Sequence, residues 1–186
     1  MRRAFLLLFL LLCLGMHLGV ETAPGQGYGN LKWKFKTDSR IDASPAVSGN
    51  MVYVASSDSI VYALDADKGT PKWKFKTGSD IDADPVVDGN TVYAGSKDSY
   101  LYALDKDSGA VKWKYATGSG IVASAVIDEG TVYVGSLDSN LYALDKTTGT
   151  LIWKFPTGSS IRTGPYVTGD MIYIVSDDGY IYALEK

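Results

Sequence analysis

Cysteine and histidine are almost missing. One of each occurs in 186 residues, Cys13 and His17, and from residue 26 onward there is neither. Their absence excludes disulfides, cysteine nucleophiles, Ser-His-Asp and Cys-His arrangements, and the usual zinc and haem ligands from that region. An excess of one charge is also missing. Lys+Arg 18 against Asp+Glu 21 leaves a net charge of −3, so nothing draws the chain to nucleic acid or anionic lipid in general. No helical period runs through the chain after residue 26. What remains is 46% hydrophobic residues, with 13 Tyr and 20 Gly, enough for one domain with a real core.

The first 25 residues have the pattern of an export signal. Arg2 and Arg3 open it, "AFLLLFLLLCLGM" forms the apolar run, and "ETAPG" closes it with small residues near a cleavage site at 20–25. The run is shorter than the ~20 residues a spanning helix needs, although a retained anchor stays open as the alternative. Residues 26–30 form a short linker. The expected location is therefore periplasmic or extracellular. An exported chain without disulfides must be held together by its core and by closure of its sheets.

Residues 31–186 repeat. Trp33, Trp73, Trp113 and Trp153 are 40 residues apart, and so are Tyr53, Tyr93, Tyr133 and Tyr173. So too are Tyr62, Tyr102, Tyr142 and Tyr182, with no insertion or deletion. A fixed period of this length, rich in β-formers, predicts an all-β propeller of four blades, each a four-stranded antiparallel sheet. In the second full row "DADPVVD", "TVYAGS", "YLYALD" and "AVKWKYAT" are the expected strands. Gly, Asn, Asp and Ser fill the turns because they tolerate positive φ or bond back to the local backbone. Asp65, Asp105 and Asp145 are expected to hold the hairpins ahead of Gly69, Gly109 and Gly149 in this way.

The stretch "YALDKTTGTLIWKF", Tyr142 to Phe155, has the pattern Ala, x, Asp, x, x, Thr, Gly, x, x, x, Trp. It resembles the tryptophan-docking motif of the quinoprotein-type (PQQ-like) propeller repeat family. "ALDKDSGAVKW" keeps the motif with Ser108 for Thr, and "ALDADKGTPKW" departs further, with Lys68 there. The resemblance covers residues 31–186. It implies that a Trp facing a small Ala packs between neighbouring blades, which assigns Ala63, Trp73, Ala103, Trp113, Ala143, Gly149 and Trp153 to blade docking.

For its dehydrogenase members the family implies pyrroloquinoline quinone over calcium, with a catalytic Asp and adjacent cysteines. This chain lacks those cysteines and shows no insertions between rows, so neither quinone nor calcium is expected. The BamB-like members of the family are non-enzymatic and imply a binding scaffold in outer-membrane protein assembly. No lipid-attachment box is present here, and there are about half the blades. A carboxylate-pair glycosidase is the other enzymatic alternative, with Asp42, Asp82 and Asp84 available to it.

The outer-strand sequence Leu31 to Thr37 precedes the first row, and a third strand, Tyr180 to Leu184, lies in the last. The last blade is therefore expected to be split between the two ends. Closure as a four-bladed ring, as an eight-bladed ring of two chains exchanging the outer strand, or as part of a longer propeller all remain open. In "KWKFK" the lysines alternate with Trp33 and Phe35 on an edge strand, where they discourage pairing with other chains, so no nucleic-acid partner is expected.

Function is expected on the channel face, where columns vary between rows. Arg40, Asp80, Gly120 and Ser160 form one such column. Asp42, Asp82, Val122 and Arg162 form the next, and Ser44, Asp84, Ser124 and Gly164 the third. Ser57, Lys97, Leu137 and Asp177 vary in the adjacent loops, as do Ile60, Tyr100, Asn140 and Tyr180. The binding candidates are Arg40, Asp42, Asp80, Asp82, Asp84, Lys97, Tyr100, Asn140, Arg162 and Tyr180. They would serve a protein or peptide partner, or a polysaccharide stacked on Tyr100 and Tyr180. Carboxylates two apart on a straight strand, such as Asp80, Asp82 and Asp84, lie ~6.6–6.8 Å apart and cannot all chelate one ion without a bend. Asp58, Asp98, Asp138 and Asp178 are the same in every row and are expected to be turn residues.

Overall fold

A computed structural model describes residues 29–186. The export signal read at residues 1–25, and the linker up to residue 28, lie outside the described residues. Every element found is a strand. Blade I comprises β1 (Ala46–Ser48), β2 (Met51–Ala55), β3 (Ile60–Asp65) and β4 (Pro71–Lys76). Blade II comprises β5 (Val86–Asp88), β6 (Thr91–Gly95), β7 (Tyr100–Asp105) and β8 (Val111–Ala116). Blade III comprises β9 (Val126–Asp128), β10 (Thr131–Gly135), β11 (Asn140–Asp145) and β12 (Leu151–Pro156). Blade IV has β13 (Tyr166–Thr168), β14 (Met171–Val175) and β15 (Ile181–Glu185). Each is an antiparallel meander in chain order. The expected all-β propeller blades are what the chain forms.

The register repeats as strictly as the letters. Tyr53 pairs with Ala63 and Ala63 with Trp73, and the same triple recurs at Tyr93, Ala103 and Trp113 and at Tyr133, Ala143 and Trp153. Small Ala beside two rings leaves room for them to lie over the neighbouring blade. Each junction then buries one face of each blade. Tyr53, Ala55, Val61, Ala63 and Trp73 of blade I meet Ile81, Val92, Ala94, Tyr102 and Leu104 of blade II. The II–III and III–IV junctions use the same columns. Burying such rings and branched side chains contributes about 1.5–3 kcal/mol each and replaces the disulfides this region lacks.

One expectation needs correcting. The innermost strand is shorter than "DADPVVD", because only Val86–Asp88 joins the ladder. Pro85 has no N–H to give, and the residues before it bond elsewhere: Ile81 N–H to Ser56 O (3.4 Å), and Asp80 O from Lys97 N–H (3.0 Å). Among the described residues the two halves of the split blade do not pair with each other. Residues 32–37 join no ladder, and Trp33 instead docks on blade I, while β15 carries no fourth strand. The outward faces at the two ends of the array are exposed. Ile41 on blade I is 46% exposed, although Ile81, Ile121 and Ile161 in the same column are 0%.

Candidate functional site

Two sets of fixed residues hold the blades in register and so position everything at the mouth. The first is the tryptophan lock. The Trp73 indole N–H donates to Lys106 O at 2.9 Å and the Trp113 indole to Lys146 O at 3.0 Å, each reaching into the next blade. Trp33 makes the same bond to Ala66 O at 2.9 Å. The ring lies over the turn glycine of that blade, so closely that a Cβ on Gly149 would fall 2.5 Å from Trp113. Asp145 holds this turn, accepting the Thr147 and Thr148 N–H groups at 2.9 and 2.7 Å, and Asp65 and Asp105 do likewise.

The second set is the aspartate of the second-to-third turn. Asp138 accepts the Tyr142 hydroxyl (2.6 Å), the Asn140 N–H (3.0 Å) and, from the loop after β8, the Gly118 N–H (2.6 Å). Asp58, Asp98 and Asp178 repeat the pattern. Burial acts to raise the Asp138 carboxyl, but the hydrogen bonds from Tyr142, Asn140 and Gly118 outweigh it and hold it below the usual carboxylate value. Burial, and then the bond to the aspartate, push the Tyr62, Tyr102 and Tyr142 hydroxyls up. These aspartates tie blades together, each with its carboxylate engaged by at least three donors.

The variable columns behave differently. A backbone bond clips each second-to-third loop to the segment entering its own blade: Ser57 N–H to Arg40 O, Lys97 to Asp80, Leu137 to Gly120 and Asp177 to Ser160. This clip brings two columns fifteen residues apart face to face. In blade I Ser57 Oγ donates to Asp42 at 3.2 Å, and Arg40 Nε to the same oxygen at 2.5 Å. In blade II the Lys97 ammonium sits 2.6 Å from Asp82 and 3.8 Å from Asp80. In blade III the two positions are Val122 and Leu137. In blade IV the signs reverse, with Arg162 Nε 2.6 Å from Asp177.

Asp84 is used between blades, accepting the Ser44 N–H at 2.6 Å, while its own N–H donates to Ser124 Oγ at 3.1 Å. The three aspartates therefore do not line a straight strand as their alternation suggests. The segment bends, Asp80 and Asp82 share a lysine, and Asp84 faces blade I. Asp82 Oδ1 is buried without a hydrogen-bond partner.

The mouth thus gathers Arg40, Asp42, Asp80, Asp82, Asp84 and Lys97 across blades I and II, with Arg162 on blade IV. Of the remaining three candidates, Tyr100 and Asn140 begin the third strands β7 and β11, and Tyr180 immediately precedes β15. Tyr100 is half-buried with Lys114 Nζ 4.4 Å above its ring, and Asn140 folds back onto Asp138. Tyr180 is exposed. In the sequence, columns 42 to 162 and 57 to 177 vary separately, and Asp177 is not among the binding candidates read from it. The signal was available: Asp82 with Lys97 and Arg162 with Asp177 exchange charge at a constant spacing. Among the described residues no group of three or more acidic side chains converges as a metal cage, because Lys97 stands between Asp80 and Asp82.

Known proteins place this geometry. The family described as outer membrane protein assembly factor BamB matches residues 22–123 and 97–186. BamB from Moraxella catarrhalis superposes with a TM-score of 0.75 at 26% identity, covering 84% of this chain and 50% of that one. The chain spans half the length of that relative. The computationally designed protein Ika4 superposes with a TM-score of 0.73 at 20% identity, covering 81% of this chain and 93% of the other. A quinohemoprotein alcohol dehydrogenase from Pseudomonas putida HK5 shares the fold at a TM-score of 0.68 and 20% identity, over 76% of this chain and 29% of the enzyme. None of the curated proteins matches the sequence.

Proposed function

Since the chain belongs to the family of the outer membrane protein assembly factor BamB, we propose that it is a non-catalytic scaffold outside the cytoplasm. It binds a protein or peptide partner at the channel mouth, in the service of cell-envelope assembly. The observation that carries this is the internal pairing of the mouth. Asp42 is held by Arg40 and Ser57, Asp82 by Lys97, Asp84 by the Ser44 N–H and Asp177 by Arg162. Such a mosaic is rigid and patterned, which suits recognition by complementary charge. It offers no pair of free carboxyls facing each other across open space, as glycoside hydrolysis requires.

The residues present do not fit quinone over calcium either. Calcium takes several oxygens, whereas here the Lys97 ammonium already pairs with Asp82 and Asp80, and no vicinal cysteines exist. The fold shared with the alcohol dehydrogenase is blade packing, and function lives in the site. Stacking of a polysaccharide would have to rely on Tyr180, since Lys114 covers Tyr100, so a polypeptide partner is favoured. The apolar N-terminus and the family together support delivery to the envelope.

The test reverses one charge at a time, Asp82→Lys and Arg162→Glu, with Lys76→Glu on the exposed outer strand β4 as control. Capture of outer-membrane assembly proteins from envelope extract should fall at least tenfold, about 1.4 kcal/mol, for the mouth variants and stay unchanged for the control. Equal losses for all three would remove the mouth as the site. Uptake of pyrroloquinoline quinone with calcium, seen by absorbance and followed by alcohol oxidation, would replace the scaffold with an enzyme.

A further inference from the structure

The junction between blades II and III holds a cavity on the face opposite the mouth. Strands alternate in direction, so the first-to-second and third-to-fourth turns open together on that face. The cavity has a volume of about 250 Å³. Its walls come from the β5–β6 hairpin and β8 of blade II and from the β11–β12 turn of blade III. Both blades are flanked on either side by a further blade.

The walls are preset by bonds between and within the blades. The Trp113 indole donates to Lys146 O at 3.0 Å, and the Lys146 ammonium reaches back to Asp88 at 2.9 Å. The Lys112 ammonium is taken up by Asn90 O, by Thr91 Oγ1 at 3.0 Å and by Asp105 at 3.7 Å. Asn90 Nδ2 also donates to Asp105, at 2.9 Å. Tyr93 and Trp113, with ring centroids 5.8 Å apart, supply the apolar part of the lining.

The fold does not require this set. At the I–II junction Met51 stands in the place of Thr91 and packs against the core, and Ser48 stands in the place of Asp88. At the III–IV junction Gly130 replaces Asn90 and Ile152 replaces Lys112. All three junctions still form with the same Tyr, Ala and Trp columns.

We propose that this cavity binds a single neutral sugar ring. Its volume lies below the ~300–1,000 Å³ of sites for drug-sized ligands, which suits one ring and not a folded-in peptide. Two ammoniums, Lys112 and Lys146, are balanced by two carboxylates, Asp105 and Asp88. An anion would meet Asp88, and a cation would meet both lysines. A hydrocarbon would strand the polar groups of the wall. Among the described residues, Asp88 Oδ1 and the Asn90 amide oxygen are left as acceptors, and the Thr147 hydroxyl and the rest of the Lys146 ammonium as donors. A sugar hydroxyl donates and accepts at once, so a ring bearing several of them answers such a mixed set. Its C–H face can lie against the aromatic lining. The site is separate from the mouth and does not depend on what the mouth binds.

The experiment titrates the full chain, as the cell delivers it, with glucose, galactose, mannose and N-acetylglucosamine. The readout is the NMR signals of the Trp113 indole and the Thr147 amide. At least one of these sugars should shift both signals saturably. Thr91→Met and Asn90→Gly introduce the residues that blades I and III already carry at those positions, so the fold accommodates them. Each should weaken the sugar at least tenfold, the first by filling the cavity and the second by removing an acceptor. Inorganic phosphate should give no saturable shift. If none of the four sugars binds, the proposal is overturned. Binding that both variants leave unchanged would place the sugar elsewhere and overturn the site. Saturable phosphate binding lost in the same variants would overturn the ligand class.

Discussion

Adding one methyl group to the chain tests the blade lock directly. Gly149 has φ +71° and lies under the Trp113 ring; Gly89 has φ +56° and lies in open space. Alanine at either site suffers the left-handed backbone, about 1–2 kcal/mol. At Gly149 its Cβ would also fall 2.5 Å from both Cδ2 and Cε3 of Trp113 and 2.9 Å from Cγ. Since the ring is 9% exposed and bonded to Lys146 O, it cannot yield freely. Overpacking costs about 1–3 kcal/mol and a strained indole bond about 1 kcal/mol more.

Gly149→Ala should therefore lose roughly 3–6 kcal/mol, and Gly89→Ala only about 1–2. Denaturant unfolding followed by circular dichroism measures both, with tryptophan fluorescence as a second probe that should shift only for Gly149→Ala. Equal losses would refute the lock, because the shared backbone cost would then explain everything.

Acid should unfold the protein in a defined window. Burial acts to raise Asp65 and Asp138, but hydrogen bonds outweigh it, and bonds from Ser108, Thr148 and Tyr182 lower Asp105, Asp145 and Asp178, so all five sit below the ordinary 3.8. A depressed folded value means the unfolded chain binds more protons, so the stability these groups contribute is complete above about pH 5 and is lost as pH falls below about 4. A denaturation midpoint that stays constant from pH 6 to below pH 3 would contradict this. Tyr142→Phe removes the 2.6 Å bond to Asp138 and should cost about 1.5–3 kcal/mol at neutral pH, and the part of the acid loss due to Asp138 should shrink, because the folded carboxyl then lies closer to its unfolded value. An unchanged acid transition would remove that bond from the account. Glu129 occupies φ +48°, where the other blades have Gly49, Gly89 and Gly169, so Glu129→Gly should stabilise the chain by about 0.5–1 kcal/mol in the same assay. A loss would mean that the glutamate side chain is engaged.

The blades were legible because the repeat constrains them four times over. Tyr, Ala and Trp recur at one spacing, and alternation along a strand puts them on one face, so the docking triple could be placed before any coordinates. The inner strand was overextended because alternation in "DIDADP" mimics a strand, while Pro85 and the demands of the adjacent loop pull the segment into a bend. At the mouth the letters carry which positions vary and a charge exchange fifteen residues apart, but not that those positions touch. That Asp42 answers Ser57 and Arg162 answers Asp177 depends on a backbone clip across seventeen residues, which no local pattern announces.

Architecture, phase and the residues of the lock follow from the amino-acid order, since each is a local periodicity repeated until only one arrangement satisfies it. Whether the ring closes within a chain does not follow from it. "KWKFKT" at residue 32 is chemically the same strand as at residue 72, and its letters cannot say which blade it completes. That choice depends on the angle between packed blades, set by how Ile, Val and Tyr columns fill each junction. Only in three dimensions do Ile41 and Ile181 emerge as exposed members of otherwise buried columns.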